Sequence, residues 1–402
     1  MNRSKGLTWL GLGLLGLSLT GNPGVTGPVP AEPLLLGGVL AVLAALLLWQ
    51  RGPASLPIFA WLLLPLTALA ALSLNGALCL FLAQISFASL VGFVGLFLVF
   101  ALAPIDSKDF QQAQLFLLAL LLASQIHGFS IFLQNQEALR GTFTNPDCYS
   151  VLCLLAVFTS LGLFLHCPGW IRAATAVTSL FSLICLLLTG SRAGLVGLGV
   201  GYLVMLFTLA SSRSSLNRSY AVRLTLVPAV LILILVVAGS SLQLGEKWAR
   251  LGLGQDVVAY KNRLDVLRVG YKTVLRYPLL GAGPGCFHLA YQQDRPPLMA
   301  GEDYMNIAHN DYAQWLVECG IPAGLLGLAF GLGAITTLWR SYRAPTTWVA
   351  TSLGALLAVA SYMALNPAFP VSALFFWMGA HLGLAASLWR LQRPRNGLAW
   401  SP

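Results

Sequence analysis

His309 is the residue whose surroundings point most directly to chemistry. It lies in Ala308-His-Asn-Asp-Tyr-Ala-Gln-Trp-Leu-Val-Glu318, where Asn310 or Asp311 is a plausible N-cap of the following helix. The positive end of a helix dipole disfavours a charged imidazolium, so the ring is expected to be neutral and able to accept a proton. His309 is therefore a candidate general base. The alternative is a hydrogen-bonded histidine at a membrane interface.

A polar stripe continues from His309 along the same predicted helix. Asp311, Gln314 and Glu318 are spaced three and four residues apart, so they share one face over a length of about 10 Å. A carboxylate inside a membrane is expected to face a cavity or a cation rather than lipid. Glu318 is therefore a candidate supporting residue.

Two arginines lie in short polar connections between apolar runs. Arg192 lies in Leu188-Thr-Gly-Ser-Arg-Ala-Gly194, and a charge at such a helix mouth indicates either a functional site or a side chain reaching lipid head groups. Arg140 begins Arg140-Gly-Thr-Phe-Thr-Asn-Pro-Asp147, whose end has the turn and cap residues of a helix start. For Arg140 a solvated loop charge is the simpler interpretation.

Residues 256–276 predict an amphipathic helix inside a longer polar segment. Its predicted apolar face consists of Val257, Tyr260, Leu264, Leu267, Tyr271, Val274 and Leu275. Lys261, Arg268, Lys272 and Arg276 form a cationic stripe that indicates a solvated or head-group face. Arg263 lies at the edge of the apolar face, about 180° from the centre of that stripe, so it is the better ligand candidate.

Glycines 281, 283 and 285 follow this helix. Such glycines permit a tight turn or a close approach of backbone N–H groups to phosphate. The segment is neither a Walker loop nor a dinucleotide fingerprint, and a structural turn is the favoured interpretation. Cys286 and Cys319 could pair on the same side of the membrane, although the cysteines as a group are best explained as small core residues.

The rest of the chain must position these residues, and its composition indicates the class of fold that does so. The chain is 57% hydrophobic and 9% charged, with a mean hydropathy of +0.78, which excludes an ordinary soluble domain. The sequence therefore predicts an all-α polytopic membrane protein that forms one bundle over residues 1–402. The predicted membrane helices cover residues 1–20, 33–49, 56–74, 77–103, 110–127, 149–166, 170–188, 193–210, 221–239, 311–339, 347–365 and 371–389.

The distribution of Lys and Arg predicts the orientation of these twelve helices. With both termini in the cytoplasm, thirteen cations fall on the inner side and only Arg140 and Arg192 fall in short outer loops. The other eight lie in the long loop between helices 9 and 10, which is exempt from the rule because of its length. Residues 240–310 are thus predicted to form an extracytoplasmic subregion. The cations are split between both sides, which argues against a nucleic-acid partner.

Four segments together resemble the O-antigen ligase and O-antigen polymerase superfamily of bacterial membrane glycosyltransferases. They are Gly141-Thr-Phe-Thr-Asn-Pro146, Thr189-Gly-Ser-Arg-Ala-Gly194, Arg263 with Tyr277-Pro-Leu-Leu-Gly-Ala-Gly-Pro-Gly-Cys-Phe287, and Ala308-His-Asn-Asp-Tyr-Ala-Gln-Trp-Leu-Val-Glu-Cys-Gly320. The motifs cover residues 140–328, and the remainder is similar in topology alone.

This resemblance implies transfer of a glycan from an undecaprenyl diphosphate carrier to an acceptor hydroxyl, such as lipid A–core, on the periplasmic face of the bacterial inner membrane. The reaction would be inverting and independent of any metal or cofactor. Arg192 and Arg263 would bind the diphosphate, and His309 would deprotonate the acceptor. Arg140 and Glu318 would orient these groups.

Two alternatives stay open at this point. Within the superfamily, a polymerase or a protein glycosyltransferase uses the same donor chemistry with another acceptor. In a different class, a transporter of small anions or inorganic carbon should show internal repeats or interrupted helices with ligands near the membrane midplane.

Overall fold

The computed structural model describes most of the chain as helices joined by short connections. The described residues are 31–51, 56–103, 106–135, 139–141, 143, 145–212, 214, 219–220, 254–294, 307–341, 346–366, 368 and 371–391, with 10–11 and 13–14. No strand occurs among them. The α-helices are α1 (Ala31–Arg51), α2 (Leu63–Leu72), α3 (Leu80–Leu102), α4 (Ser107–Asn135), α5 (Pro146–His166), α6 (Gly169–Thr189), α7 (Arg192–Ala210), α8 (Gly254–Arg276), α9 (Phe287–Asp294), α10 (Asp311–Arg340), α11 (Thr346–Met363) and α12 (Ser372–Leu391).

Eight helical segments in the described part of the chain are long and apolar enough to cross a membrane. One of them is built from α2 and the two short 3₁₀ segments that flank it, and α1 and α11 add two shorter apolar helices. These ten correspond to ten of the twelve predicted membrane helices. The other two, residues 1–20 and 221–239, lie outside the described residues except for 10–11 and 13–14. The all-α, multi-pass class is confirmed, while the number twelve and the sidedness stay predictions.

Helix α5 forms the centre of the bundle and is buried along almost its whole length. It packs against α4, α6 and α11, while α3 packs between α1 and α12 and α7 packs against α11. Glycines permit the α7–α11 approach: a Cβ placed on Gly197 would lie 2.6 Å from the Ala358 carbonyl oxygen. Small residues at a crossing allow two helix backbones to pack closely within a membrane.

One end of the bundle collects the connections that carry the candidate residues, and we call it the site end. The Leu139 N–H donates to the Leu188 carbonyl at 3.0 Å, which joins the segment before α5 to the end of α6. The Ala368 N–H donates to an Asp311 carboxylate oxygen at 2.6 Å, which joins the α11–α12 connection to the start of α10. At the opposite end of α5, the rings of His166 and Trp348 are 4.8 Å apart.

The amphipathic helix predicted over residues 256–276 is present as α8, but it packs mainly through a side other than the predicted apolar face. Val266, Val269 and Thr273 are buried, whereas Leu264, Tyr271 and Leu275 of the predicted apolar face are 39%, 66% and 61% exposed. The packed side faces α10, since a Cβ on Gly270 would lie at van der Waals distance, 3.5 Å, from Val317. The large apolar side chains therefore face outward.

The α7–α11 crossing gives a stability prediction with a control on the same helix. Gly197→Ala should destabilise the bundle by about 1–3 kcal/mol, because the new methyl group would meet the Ala358 carbonyl. Gly199→Ala should be neutral or slightly stabilising, since a Cβ there meets nothing within 4 Å. Thermal unfolding of both variants in the same detergent tests the difference. Equal melting temperatures would contradict the close packing at Gly197.

Candidate active site

His309 occupies a strained bend immediately before α10. Its φ of +51° makes it the one non-glycine residue with a positive φ in the part of the chain that the structure describes. A left-handed conformation of a non-glycine residue costs on the order of 1–3 kcal/mol and persists only where its surroundings hold it. Asn310 is the N-cap, as one of the two predicted alternatives, and its side chain accepts the Ala313 N–H at 2.9 Å. His309 thus lies at the positive end of the helix, as predicted.

The residues on both sides of His309 are anchored. The Ala308 N–H donates to the Gln314 side-chain oxygen at 3.1 Å. On the other side, the Asn310 amide donates to the Ala364 carbonyl at 2.9 Å, and Asp311 accepts the Ala368 N–H. These bonds fix the bend against α10 itself and against the end of α11. A strained backbone conformation persists only where surrounding contacts hold it, and these hydrogen bonds are such contacts.

Arg192 is the first residue of α7, at the site end of the bundle. Ser191 caps this helix by accepting the Gly194 N–H at 3.1 Å, and the Arg192 side chain is exposed. The arginine and the helix N-terminus are both positive, so they attract an anion together. The position is therefore suited to an anionic ligand.

Arg140 lies close to the connection that carries Arg192. Its neighbour Leu139 donates to Leu188 at the end of α6, and the Arg140 side chain is exposed. The cap predicted just downstream is present, since the Asn145 side chain accepts the Asp147 N–H at 2.8 Å and Pro146 begins α5. Arg140 and Arg192 consequently lie in two connections that are bonded to each other.

The start of α5 links the two arginine connections to the His309 bend. A Cβ on Gly194 of α7 would lie 2.9 Å from the Ser150 hydroxyl in the first turn of α5. Cys148 in the same turn is within hydrogen-bonding reach of Tyr362, near the end of α11. The end of α11 in turn holds Asn310. The structure thus brings Arg140, Arg192 and His309 to one end of the bundle.

Arg263 lies in α8, but its side chain is outside the described residues. By register it lies seven residues, or about two helical turns, before Gly270. Gly270 belongs to the side of α8 that packs on α10. The backbone position of Arg263 is therefore on the side nearest α10, and its role as a ligand stays a prediction.

Helix α10 is broken at Gly320, nine residues after its start. Gly320 has φ +81° and ψ 172°, and Pro322 follows without an N–H to donate. The Glu318 carbonyl, which Pro322 cannot satisfy, accepts the Gly283 N–H at 2.9 Å, and the Val317 carbonyl accepts the Ala282 N–H at 2.8 Å. The glycine-rich segment thereby replaces the hydrogen bonds that the helix loses.

The Glu318 carboxylate also binds backbone groups of this segment. It accepts the N–H groups of Gly285 at 2.8 Å and Phe287 at 3.4 Å, and the Gln314 amide donates to it at 2.9 Å. The residue is 7% exposed. The sequence predicted a cavity or a cation as its partner, and the structure shows backbone N–H groups at the start of α9 instead. Glu318 therefore holds the glycine-rich turn against α10.

The three glycines are required by this packing, so the segment is a structural turn, as favoured from the sequence. Gly281, Gly283 and Gly285 have φ values of +70°, +103° and +71°, and a Cβ on each would collide with Glu318, Ala77 and Ser86, respectively. Burial raises the pKa of the neighbouring Cys286 thiol to about 11. Cys286 and Cys319 are both free thiols, so the possible disulfide is not formed.

An apolar cavity of about 420 Å³ lies within the bundle below the His309 bend. Tyr312, Trp315 and Leu316 line it from the first part of α10, and Phe93, Phe158 and Leu356 line it from α3, α5 and α11. Its few polar groups include Thr159 and His381, whose side chains are 3.2 Å apart and contact each other. Such a lining suits a hydrocarbon chain. No cluster of three or more His, Cys, Asp or Glu with metal-ligand geometry occurs among the described residues.

The fold and these contacts define a multi-pass helical membrane protein with a histidine and arginines gathered at one end. A family model described as O-antigen ligase matches residues 177–326. This match supports assignment to the O-antigen ligase family and agrees with the resemblance seen in the motifs. Arg192, Arg263, His309 and Glu318 lie within the matched region, and Arg140 lies before it. No curated protein matches the chain.

Sequence reasoning did not assign roles to Gln314 and Asp311. Both were noted as members of a polar stripe, yet their partners, Ala308 and Ala368, could not be inferred from spacing. The available signal was the burial expected of polar residues on a membrane helix, which must find partners within the protein. This signal indicates that such residues form hydrogen bonds, but it does not identify their partners.

The Glu318 contacts predict a graded loss of stability. Glu318→Ala should destabilise the protein by about 1–3 kcal/mol or more, because two buried N–H groups and the Gln314 amide lose their acceptor. Glu318→Gln keeps one acceptor oxygen and should lose less stability than Glu318→Ala. Thermal unfolding, with limited proteolysis of the 277–287 turn as a local probe, measures both. Unfolding and proteolysis of Glu318→Ala identical to the unmodified protein would contradict the role assigned to the carboxylate.

Proposed function

We propose that this protein transfers a glycan from undecaprenyl diphosphate to an acceptor hydroxyl, as an inverting and metal-independent glycosyltransferase. The observation that carries the proposal is the anchored, left-handed His309 at the N-terminus of α10, at the same end of the bundle as Arg140 and Arg192. The match of residues 177–326 to the O-antigen ligase family model supports the reaction class.

In this mechanism His309 removes the proton of the acceptor hydroxyl. The hydroxyl oxygen then attacks the anomeric carbon from the side opposite the diphosphate, so the configuration inverts as the carbon–oxygen bond to phosphate breaks. The N-terminus of α10 favours the neutral ring before the transfer. The hydrogen bonds of Ala308, Asn310 and Asp311 hold the backbone on both sides of His309 in place, which would lower the entropic part of the barrier.

Arg192 and Arg263 would bind the diphosphate and neutralise the charge that grows on it as it leaves. The guanidinium fork binds two phosphate oxygens at once, which a lysine cannot do. Arg192 is well suited because it lies at a helix N-terminus that itself favours anions. Arg263 would approach from α8, and Arg140 would orient the donor from the connection bonded to α6. The arginines would thus take the part that a divalent metal plays in other glycosyltransferases.

The apolar cavity supports a lipid-linked donor rather than a soluble sugar nucleotide. Its lining begins at Tyr312, three residues after His309, and continues into the bundle. A polyprenyl chain placed there would leave its diphosphate at the site end, where the arginines lie. The hydrocarbon would contribute binding energy in the ground state and the transition state alike, so it would act on affinity rather than on turnover.

The positive-inside distribution supports a site end on the periplasmic side of the bacterial inner membrane. Lys108 and Arg172 lie near the opposite end of the bundle, where the predicted inner cations gather. We take lipid A–core or a similar glycan as the acceptor, which makes the protein a ligase. Another repeat unit as acceptor would make it a polymerase with the same donor chemistry.

Transport of a small anion is the alternative function. One observation favours it, because α10 is an interrupted helix and such helices occur in transporters. In transporters the carbonyls freed by such a break coordinate the substrate ion near the midplane. Here the carbonyls of Val317 and Glu318 are bonded to the glycine-rich turn. The 20 residues from Ile321 to Arg340 span about 30 Å, so the break lies near one membrane surface. Both features favour the transferase.

The first functional prediction separates the base from the donor site. His309→Ala should lower glycan transfer by about 10²–10⁴-fold, the usual contribution of a positioned base, and leave binding of the lipid-linked donor nearly unchanged. Transfer and donor affinity should be measured in parallel in liposomes, with Lys108→Ala, an exposed change at the opposite end, as the control. Turnover of His309→Ala at the control rate would refute the general-base role.

The second functional prediction concerns the arginines. Arg192→Ala and Arg263→Ala should weaken donor binding as well as turnover, because the diphosphate is charged in both the ground state and the transition state. Arg192→Lys and Arg263→Lys should keep part of the donor affinity and part of the turnover, since lysine supplies charge without the bidentate fork. Unchanged donor affinity in the alanine variants, with normal folding by size-exclusion chromatography, would place the diphosphate elsewhere.

A further inference from the structure

Helix α8 has two sides of opposite character, and the outward side is the unusual one. Val266, Val269 and Thr273 are at most 2% exposed on the side toward α10. On the other side, Leu264, Tyr271 and Leu275 form an exposed apolar row, continued by Leu279, which is 69% exposed, beyond the helix end. Exposed apolar rows of this length mark a surface that contacts something other than water.

Cations accompany this apolar row. Arg268 and Lys272 are exposed and lie about 40° and 80° around an ideal helix from Leu264. Arg268 pairs with Asp265 at 3.0 Å and Arg276 with Asp294 at 2.6 Å, yet their side chains are still 77% and 49% exposed. A guanidinium has five N–H donors, so one carboxylate leaves donors for a further anion. The helix carries five cations and two acids, a net charge of +3.

The position of the helix end relative to the membrane follows from the break in α10. The Ile321 N–H donates to the Pro278 carbonyl at 2.8 Å, two residues after the end of α8. Since Ile321 begins the 20-residue segment that crosses about 30 Å to Arg340, Pro278 lies at the boundary of the hydrocarbon core. One side of α10 below this point is apolar and exposed along its length, at Ile321, Leu325, Leu328 and Leu332, of which Leu325 and Leu328 also border the apolar cavity.

The exposed apolar row of α8 therefore continues, through Leu279, into the lipid-facing row of α10. We propose that α8 is an interfacial membrane helix: Tyr271, Leu275 and Leu279 insert into the head-group region, and Arg268, Lys272 and Arg276 bind the phosphates of anionic phospholipids. Apolar side chains flanked by Lys and Arg are the pattern that binds such surfaces. A protein partner would not explain the continuity with the lipid-facing row.

This contact would tie the helix that carries Arg263, and the glycine-rich turn behind Glu318, to the membrane surface. Both would then keep a fixed height relative to the lipid head groups. The inference does not depend on the proposed transferase activity, because it rests on exposure, charge and the level of Pro278 alone.

Photo-cross-linking of the full-length protein tests the insertion. Benzoylphenylalanine is placed at Tyr271 or Leu275, at Leu332 as a lipid-facing reference, and at exposed Gln293 on α9 for comparison. The protein is reconstituted in nanodiscs of phosphatidylcholine and phosphatidylglycerol, and adducts are read by mass spectrometry. Tyr271 and Leu275 should give phospholipid adducts at a yield comparable to that of Leu332 and well above that of Gln293. Adducts to a second protein chain, or a yield no higher than at Gln293, would overturn the proposal.

A second measurement tests the head-group contact without any glycan donor. Phosphatidylglycerol retained by the purified protein is quantified against phosphatidylcholine, in the unmodified chain, in the double variant Arg268→Gln with Lys272→Gln, and in Lys108→Gln as the control. The double variant should lose several-fold of the enrichment, and the control should keep it. Equal enrichment in all three would overturn the anionic-lipid contact while leaving the transferase proposal untouched.

Discussion

The break in α10 is the constraint on which the candidate site depends. Gly320 leaves the helical conformation and Pro322 offers no N–H, so the carbonyls of Val317 and Glu318 need other donors. Val317 and Glu318 are buried, so these donors must come from the protein itself. The N–H groups of Ala282 and Gly283 do so, and the Ile321 N–H finds the Pro278 carbonyl. The helix break and the glycine-rich turn would each leave backbone groups without hydrogen-bond partners if they formed alone. Packed together, they satisfy these groups.

These hydrogen bonds between the broken helix and the turn set the geometry of the candidate site. The short first part of α10 bears His309 at its N-terminus and Glu318 near its end, with Gln314 bonded to Ala308 on one side and to Glu318 on the other. A continuous buried hydrogen-bond path therefore runs from the residue before His309 to Gly285 and Phe287. Each group on this path is costly to leave unbonded, which is why the path is rigid. The same turn connects it to α8.

Much of the fold and part of the site follow from local rules that need no tertiary information. Runs of about 20 apolar residues predict membrane helices, and ten of the predicted twelve coincide with described helices. The caps at Asn145 and Asn310 follow from side-chain chemistry at a helix start. The motifs around Arg192 and His309 indicated the family. Hydropathy does not fix which side of the membrane each end faces, and the positive-inside count remains the only guide to it.

The sequence by itself therefore determined the membrane class, the positions of the ten described spans and the candidate residues for chemistry. Tertiary structure alone decided what the buried polar groups bond to and which way α8 faces. Glu318 was expected to meet a cavity or a cation, but its partners lie 33 and 31 residues away at Gly285 and Phe287. The helical wheel gave α8 one apolar face, yet the helix packs on α10 mainly through another side, which carries Val266, Val269 and Gly270. Spacing along a chain records which residues share a face. The surface that the face meets depends on contacts between distant segments, which no local pattern contains.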